Sequence, residues 1–166
     1  MLDYIAEFHT LIDVAVETMN FIPESIAGQK PSPEKWCPKE ILGHLIDSAT
    51  NNHHRIVLAL ASGEVCFELK GYQQDKWVSL QMYREAQWPA LIQFWRYYNK
   101  HLCRLVSSIP AEIRAKEILK PTYSLMVSRP LPENGLISLD CLMEDYVIHL
   151  KHHLRQIVAL SKNGME

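Results

Sequence analysis

Residues 139–161, LDCLMEDYVIHLKHHLRQIVALS, are the stretch on which the fold turns. Leu139, Met143, Tyr146, Val147, Leu150, Leu154 and Ile157 recur at steps of three and four, the period of an α-helix that buries one face. Asn163 and Gly164 supply a stop. Working outward, the same period appears in three more segments. Over roughly 2–22 it is carried by Tyr4, Ile5, Phe8, Leu11, Ile12, Ala15, Met19 and Ile22, ending at Pro23. Over about 38–62 it is carried by Ile41, Leu42, Leu45, Ala49, Ile56 and Leu60. Pro38 suits a first helical turn, Glu40 favours the positive end of the helix dipole, and Gly63 is the stop. A third helix is expected over about 79–107, rich in aromatics (Trp88, Phe94, Trp95, Tyr97, Tyr98), with Pro89 kinking it or marking a restart and Pro110 closing it.

Helices of this size are ~30 to 43 Å long at 1.5 Å per residue, and four apolar stripes are buried together most simply in an all-α four-helix bundle. The connections are long. Residues 63–78 could span ~50 Å if extended, enough to run the length of a helix. The second and third helices can therefore be parallel, giving an up-down-down-up order. Residues 108–138, with Pro110, Pro121, Pro130, Pro132 and the Asn134-Gly135 turn signal, exceed a simple connector and are expected to cap one end of the bundle.

Composition sets the bounds. A chain of 166 residues, 48% hydrophobic and 22% charged, suits one globular domain over 1–166. Asp3, Glu7 and Asp13 stand where a leader peptide would be basic and apolar. No window reaches the ~18 apolar residues of a membrane span, so a cytoplasmic location is expected, with no membrane partner. Cys37, Cys66, Cys103 and Cys141 lie far apart with no C-x-x-C pair, and are read as reduced thiols. Net charge is −2 with dispersed basic residues, which argues against nucleic acid as a partner.

His149 and His153 form an H-x-x-x-H pair, so both imidazoles leave one face of the fourth helix a turn apart. With Leu150 at the centre of the buried face, His153 lies ~60° and His149 ~100° to one side, while His152 points ~160° away. On the second helix His44 lies ~100° from Leu45, at the head of a polar strip continued by Ser48, Asn51 and Arg55. If the two helices are antiparallel, His44 and His153 match in height within a turn, and a third ligand comes within reach of the pair. Spacing alone leaves a plainer alternative, in which His44 is a hydrogen-bonded boundary residue and the pair is accidental.

The stretches W36-C-P-K-E-I-L-G-H-L-I-D-S-A-T-N-N-H-H-R55, Y72-Q-Q-D-K-W-V78 and D145-Y-V-I-H-L-K-H-H153 together resemble the DinB-like (YfiT-type) superfamily of metal-dependent enzymes. The resemblance implies an up-down-down-up bundle, often a homodimer, in which His44, His149 and His153 bind a divalent metal ion, nickel or zinc. It also implies a small-molecule substrate and a transferase reaction using a low-molecular-weight thiol. Metal-dependent hydrolysis and non-enzymatic binding of a metal or small molecule stand as alternatives. Ser48, Asn51 and Arg55 are the candidate substrate-binding residues, Arg55 as a bidentate clamp for a carboxylate or, equally, the partner of a surface acid. Asp47 and Asp145 could orient ligating histidines or be solvated helix acids. Cys37 at a helix start could be an activated thiol, though a buried bystander fits better. His53 and His54 read as surface residues, while Gln73, Asp75 and Trp77 fit either the family segment or plain packing of the crossover. Because ligating imidazoles must be neutral, metal occupancy is expected to fall as pH drops through ~6.5.

Overall fold

The computed structural model describes residues 4–63, 67–121 and 132–163. In chain order these residues form α1 (Tyr4–Asn20), α2 (Glu24–Ala27), α3 (Pro38–Ser62), β1 (Phe67–Leu69), α4 (Gln74–Leu80), a 3-10 turn (Tyr83–Glu85), α5 (Trp88–Ser108), α6 (Ala111–Arg114), β2 (Leu119–Pro121) and α7 (Leu139–Asn163). The long helices α1, α3, α5 and α7 make a four-helix bundle in which α1 and α3 each pack against both α5 and α7.

Named contacts give the directions. Trp88 Nε1, at the start of α5, donates to the carbonyl of Met19 near the end of α1 (3.1 Å), and Lys100 pairs with Asp13 (2.8 Å), so α1 and α5 are antiparallel. Lys39 Nζ reaches the carbonyl of Arg84 just ahead of α5, and His53 meets Tyr98 farther along, so α3 and α5 are parallel. Tyr4 bonds Asp140, Phe8 packs edge-on against Tyr146, and Glu7 pairs with Lys151, so α1 and α7 are parallel. The order is up-down-down-up.

The third long helix starts at Trp88, not near 79. Pro89 lacks an N–H and its ring would clash inside a helix, but both defects vanish in a first turn. Proline is therefore a restart, and Met82, at φ +48°, turns the chain sharply ahead of it. The crossover before it is also more structured than an extended span, since it carries β1 and α4.

β1 and β2 pair in parallel, with Phe67 opposite Leu119, and Leu119 also bridges to Ile137. This small sheet joins both crossovers where α3 and α5 finish and α7 begins, with Leu69, Leu119, Pro121 and Ile137 buried. Arg114, at the end of α6, ties the second crossover to α7 by donating to Asp140 (2.8 Å), and it also donates to the carbonyl of Ile109 (2.6 Å). The described part of 108–138 thus caps one end; residues 122–131, including Pro130, lie outside the described residues. No helix among the described residues is long and apolar enough to cross a membrane.

One consequence of the crossover reaches the site. Every residue from Ile41 to Ala49 is buried, because α5 and α7 cover two sides of α3 and residues 70–83 run back over the third. A strip that the helical wheel places at the border of the core is thereby enclosed.

Candidate metal centre

α3 presents His44, and the facing α7 presents His149 and His153 one turn apart. One ring nitrogen from each lies within 4.8 Å of the other two. The Nε2 atoms of His44 and His149 are 3.1 Å apart. Two nitrogens held ~2.1 Å from one ion at tetrahedral or square angles stand ~3.0 to 3.4 Å apart, so this pair is already at ligand spacing. The His153 ring centre is 4.8 Å from that of His44 and 4.5 Å from that of His149.

Neighbours fix the rings. Trp36 lies over His44 with ring centres 5.1 Å apart. The Tyr72 hydroxyl stands 3.5 Å from His44 Nδ1, at the limit of a hydrogen bond. Gln156 acts on His153: its Oε1 accepts from His153 Nδ1 (2.8 Å) while its Nε2 meets His152 Nε2 (3.0 Å). With the proton on Nδ1, His153 offers its Nε2 lone pair.

Burial, reinforced by the imidazoles of His149 and His153, pulls the pKa of His44 down to about 3. Burial and His153 pull His149 to about 4, with Asp145 opposing. His153 is lowered too, chiefly by burial, with the Gln156 bond opposing. All three are neutral at pH 7, as metal ligation requires. His149 Nδ1 is buried without a protein partner, so among the described residues this ring's one polar contact is the Nε2 approach to His44. Three convergent neutral nitrogens fit a borderline divalent ion such as zinc or nickel.

The chain matches no protein-family model and no curated protein. Among solved structures it is similar to YfiT from Bacillus subtilis, a probable metal-dependent hydrolase with an unusual four-helix bundle topology. The match has a TM-score of 0.76 at 17% identity and covers 96% of this chain and 85% of that one. This chain has a YfiT-like fold. At that identity the likeness is one of fold.

Within the YfiT-like bundle, a chamber of about 50 Å³ lies beside His44 and His149, walled by Ser48, Asn52, Arg55, Tyr72, Asp145 and Tyr146. A wider groove of about 530 Å³ opens beside His153, with Trp36, Ile41, Asp75 and Gln156 on its walls. Ser48 and Arg55 thus come together with two of the histidines. Asn51 does not: its amide donates back to the carbonyl of Asp47 (2.9 Å), and Asn52 faces the chamber in its stead. Arg55 is buried rather than on the surface, with Nη1 on Asn52 Oδ1 (3.3 Å) and Nη2 on the carbonyl of Lys70 (2.5 Å).

Neither acid is solvated. Asp47 is 2% exposed and ties the crossover to α3, its Oδ1 accepting from the Tyr83 hydroxyl (2.7 Å) and from Gln81 Nε2. Burial pushes its carboxyl up, against those two bonds. Asp145 is buried in the chamber wall. Cys37 is a buried helix cap whose N–H bonds Glu40 (2.8 Å), and burial pushes its thiol up, away from an activated thiolate. His53 is half-buried against Tyr98 and His54 is exposed. The Trp77 ring packs tilted against Tyr72, with ring centres 4.8 Å apart, and Gln73 and Asp75 are exposed.

Asn52, Tyr72 and Gln156 are the residues that sequence reasoning passed over. Gln156 was within reach of it, being three residues after His153 on the same helix face. Tyr72 was not, because no periodicity fixes the path of a crossover.

Proposed function

We propose that this chain is a single-domain, metal-dependent enzyme acting on a small molecule, and that its reaction is hydrolysis. The observation that carries the reading is the convergence of His44, His149 and His153, all neutral, from two facing helices. These three would hold a nickel or zinc ion. When bound, the ion supplies Lewis acidity at a coordination position that three protein ligands leave open.

The chain's own residues supply the rest. Trp36 and Tyr72 cover His44 and keep water from its ring. Ser48, Asn52 and Arg55 line the space where substrate would lie, with Asn51 acting only through its neighbours on α3. The Asp145 carboxylate, in the same wall, would accept a proton from a nucleophile held in the chamber. Hydrolysis is favoured by the description of the YfiT neighbour. Transfer to a low-molecular-weight thiol, the reaction implied by family resemblance, is the competing outcome of the test. We further place the enzyme in the cytoplasm as a homodimer, with the exposed Phe94 and Tyr97 of α5 in the contact face.

The test is elemental analysis of protein purified without an affinity tag, followed by turnover of an ester and amide panel with and without added thiol. Nickel or zinc should be present in wild type and lost in His149→Ala. Turnover should need the metal and not the thiol. A wild type that takes up neither metal sinks the proposal, and turnover that requires thiol replaces hydrolysis with transfer.

A further inference from the structure

Arg55 is 8% exposed, yet among the described residues no carboxylate pairs with it. Its partners are two neutral oxygens, Asn52 Oδ1 and the carbonyl of Lys70, which engage two of the five guanidinium N–H groups. A buried cation normally has an anion beside it, because neutral acceptors replace only part of its hydration. Burial accordingly lowers the pKa of this guanidinium, and the nearby Tyr72 phenol is the one group opposing the shift. Arg55 lines a chamber that also meets His44 and His149.

We propose that this chamber is a carboxylate subsite, in which Arg55 binds the carboxylate of a small substrate whose reacting group lies at the three histidines. The inference rests on the metal-enzyme reading above and names its substrate class. Three features select a carboxylate. The chamber, at about 50 Å³, has room for a group of a few heavy atoms. The guanidinium is a planar fork matched to a planar, monoanionic acceptor. Asp145 stands in the same wall, so an incoming anion meets a like charge there, and a dianion such as phosphate is opposed more strongly than a monoanion. The Ser48 and Tyr72 hydroxyls are further donors on that wall.

The probe is acetate, titrated into the full-length, metal-free protein by calorimetry and thermal melting, with chloride at equal ionic strength as control and inorganic phosphate as competitor. Acetate should bind saturably and raise the melting temperature above the chloride control, and phosphate should bind at least tenfold more weakly. Arg55→Gln should weaken acetate at least tenfold. Ser48→Val, which narrows the chamber and leaves Arg55 in place, should weaken it likewise and covers the case in which Arg55→Gln misfolds. No acetate binding by wild type, equal binding by a folded Arg55→Gln, or phosphate binding as tightly as acetate overturns the proposal. Because the assay contains no metal, acetate binding by a wild type that takes up neither nickel nor zinc marks a failure of the metal reading alone. The converse pattern marks a failure of the subsite alone.

Discussion

A protonated imidazole at His44 would be a charge taken out of water and set beside two more imidazoles, which is why its pKa falls to about 3. The sign of the linkage follows. The unfolded chain takes up protons at these histidines near ~6.5 while the native state does not, so the stabilisation is complete above ~6.5 and is lost as pH falls toward the native values. Metal-free protein should therefore lose roughly 1 kcal/mol per pH unit for each of His44 and His149 between about pH 6 and 4.5, read from urea midpoints. An unchanged acid dependence in His44→Leu would show that another group is responsible. The same depression at His44 and His149 moves the expected competition by protons at these two ligands below the ~6.5 of a free imidazole. In a competition dialysis, occupancy should fall at lower pH than it would for three free imidazoles. Among single substitutions, His44→Ala, His149→Ala and His153→Ala should each abolish high-affinity binding. Gln156→Ala should weaken it about tenfold by freeing the His153 ring, and His152→Ala should leave it nearly unchanged. Equal losses in His152→Ala and His153→Ala would contradict the site. The contrast between these adjacent histidines is legible in the helical wheel, because a period of 3.6 separates neighbours by ~100°. The depth of His44 is not legible there, since it depends on what the crossover lays over α3.

For the helices, the apolar stripes of α1, α3 and α7 carry enough turns for the period to be read directly, and Gly63 and Pro23 mark real ends. The start of α5 is less readable, because residues 79–87 hold apolar side chains at spacings that a helix and a short turn share. Met82 in the left-handed region and the Asp47 contacts of Gln81 and Tyr83 decide the matter, and these are tertiary. The same contact governs a substitution. Glycine inside a helix is ordinarily improved by alanine, by about 1 kcal/mol. At Gly43, however, a Cβ would lie 2.0 Å from Cδ2 of the Tyr83 ring. The ring must move, and its hydroxyl leaves Asp47, whose Oδ2 already lacks a partner. Overpacking and a broken buried hydrogen bond cost ~2 to 4 kcal/mol together, so the packing term wins and Gly43→Ala should destabilise. Chemical denaturation showing a more stable Gly43→Ala would mean that the crossover does not press on α3 as described.

Across the whole molecule, the three histidines stitch α3 to α7, which reach each other only after the chain has passed through both crossovers and α5. An ion bound there has ligands separated by 105 residues between His44 and His149, a set that the unfolded chain cannot assemble at the same affinity. Binding to the native state alone stabilises by about 2.7 kcal/mol at a hundredfold excess over Kd. In a domain of this size 1 kcal/mol moves the melting temperature by roughly 2 to 4 °C, so saturating zinc or nickel should raise it by ~5 to 10 °C. Magnesium should have almost no effect, because it demands oxygen ligands in a regular octahedron and this cluster offers imidazole nitrogen. The shift should vanish in His44→Ala, which removes the sole α3 ligand, and persist in His152→Ala. A zinc shift that survives His44→Ala would place the ion on α7 alone, and the three-histidine centre would then not be what joins the two halves of the bundle.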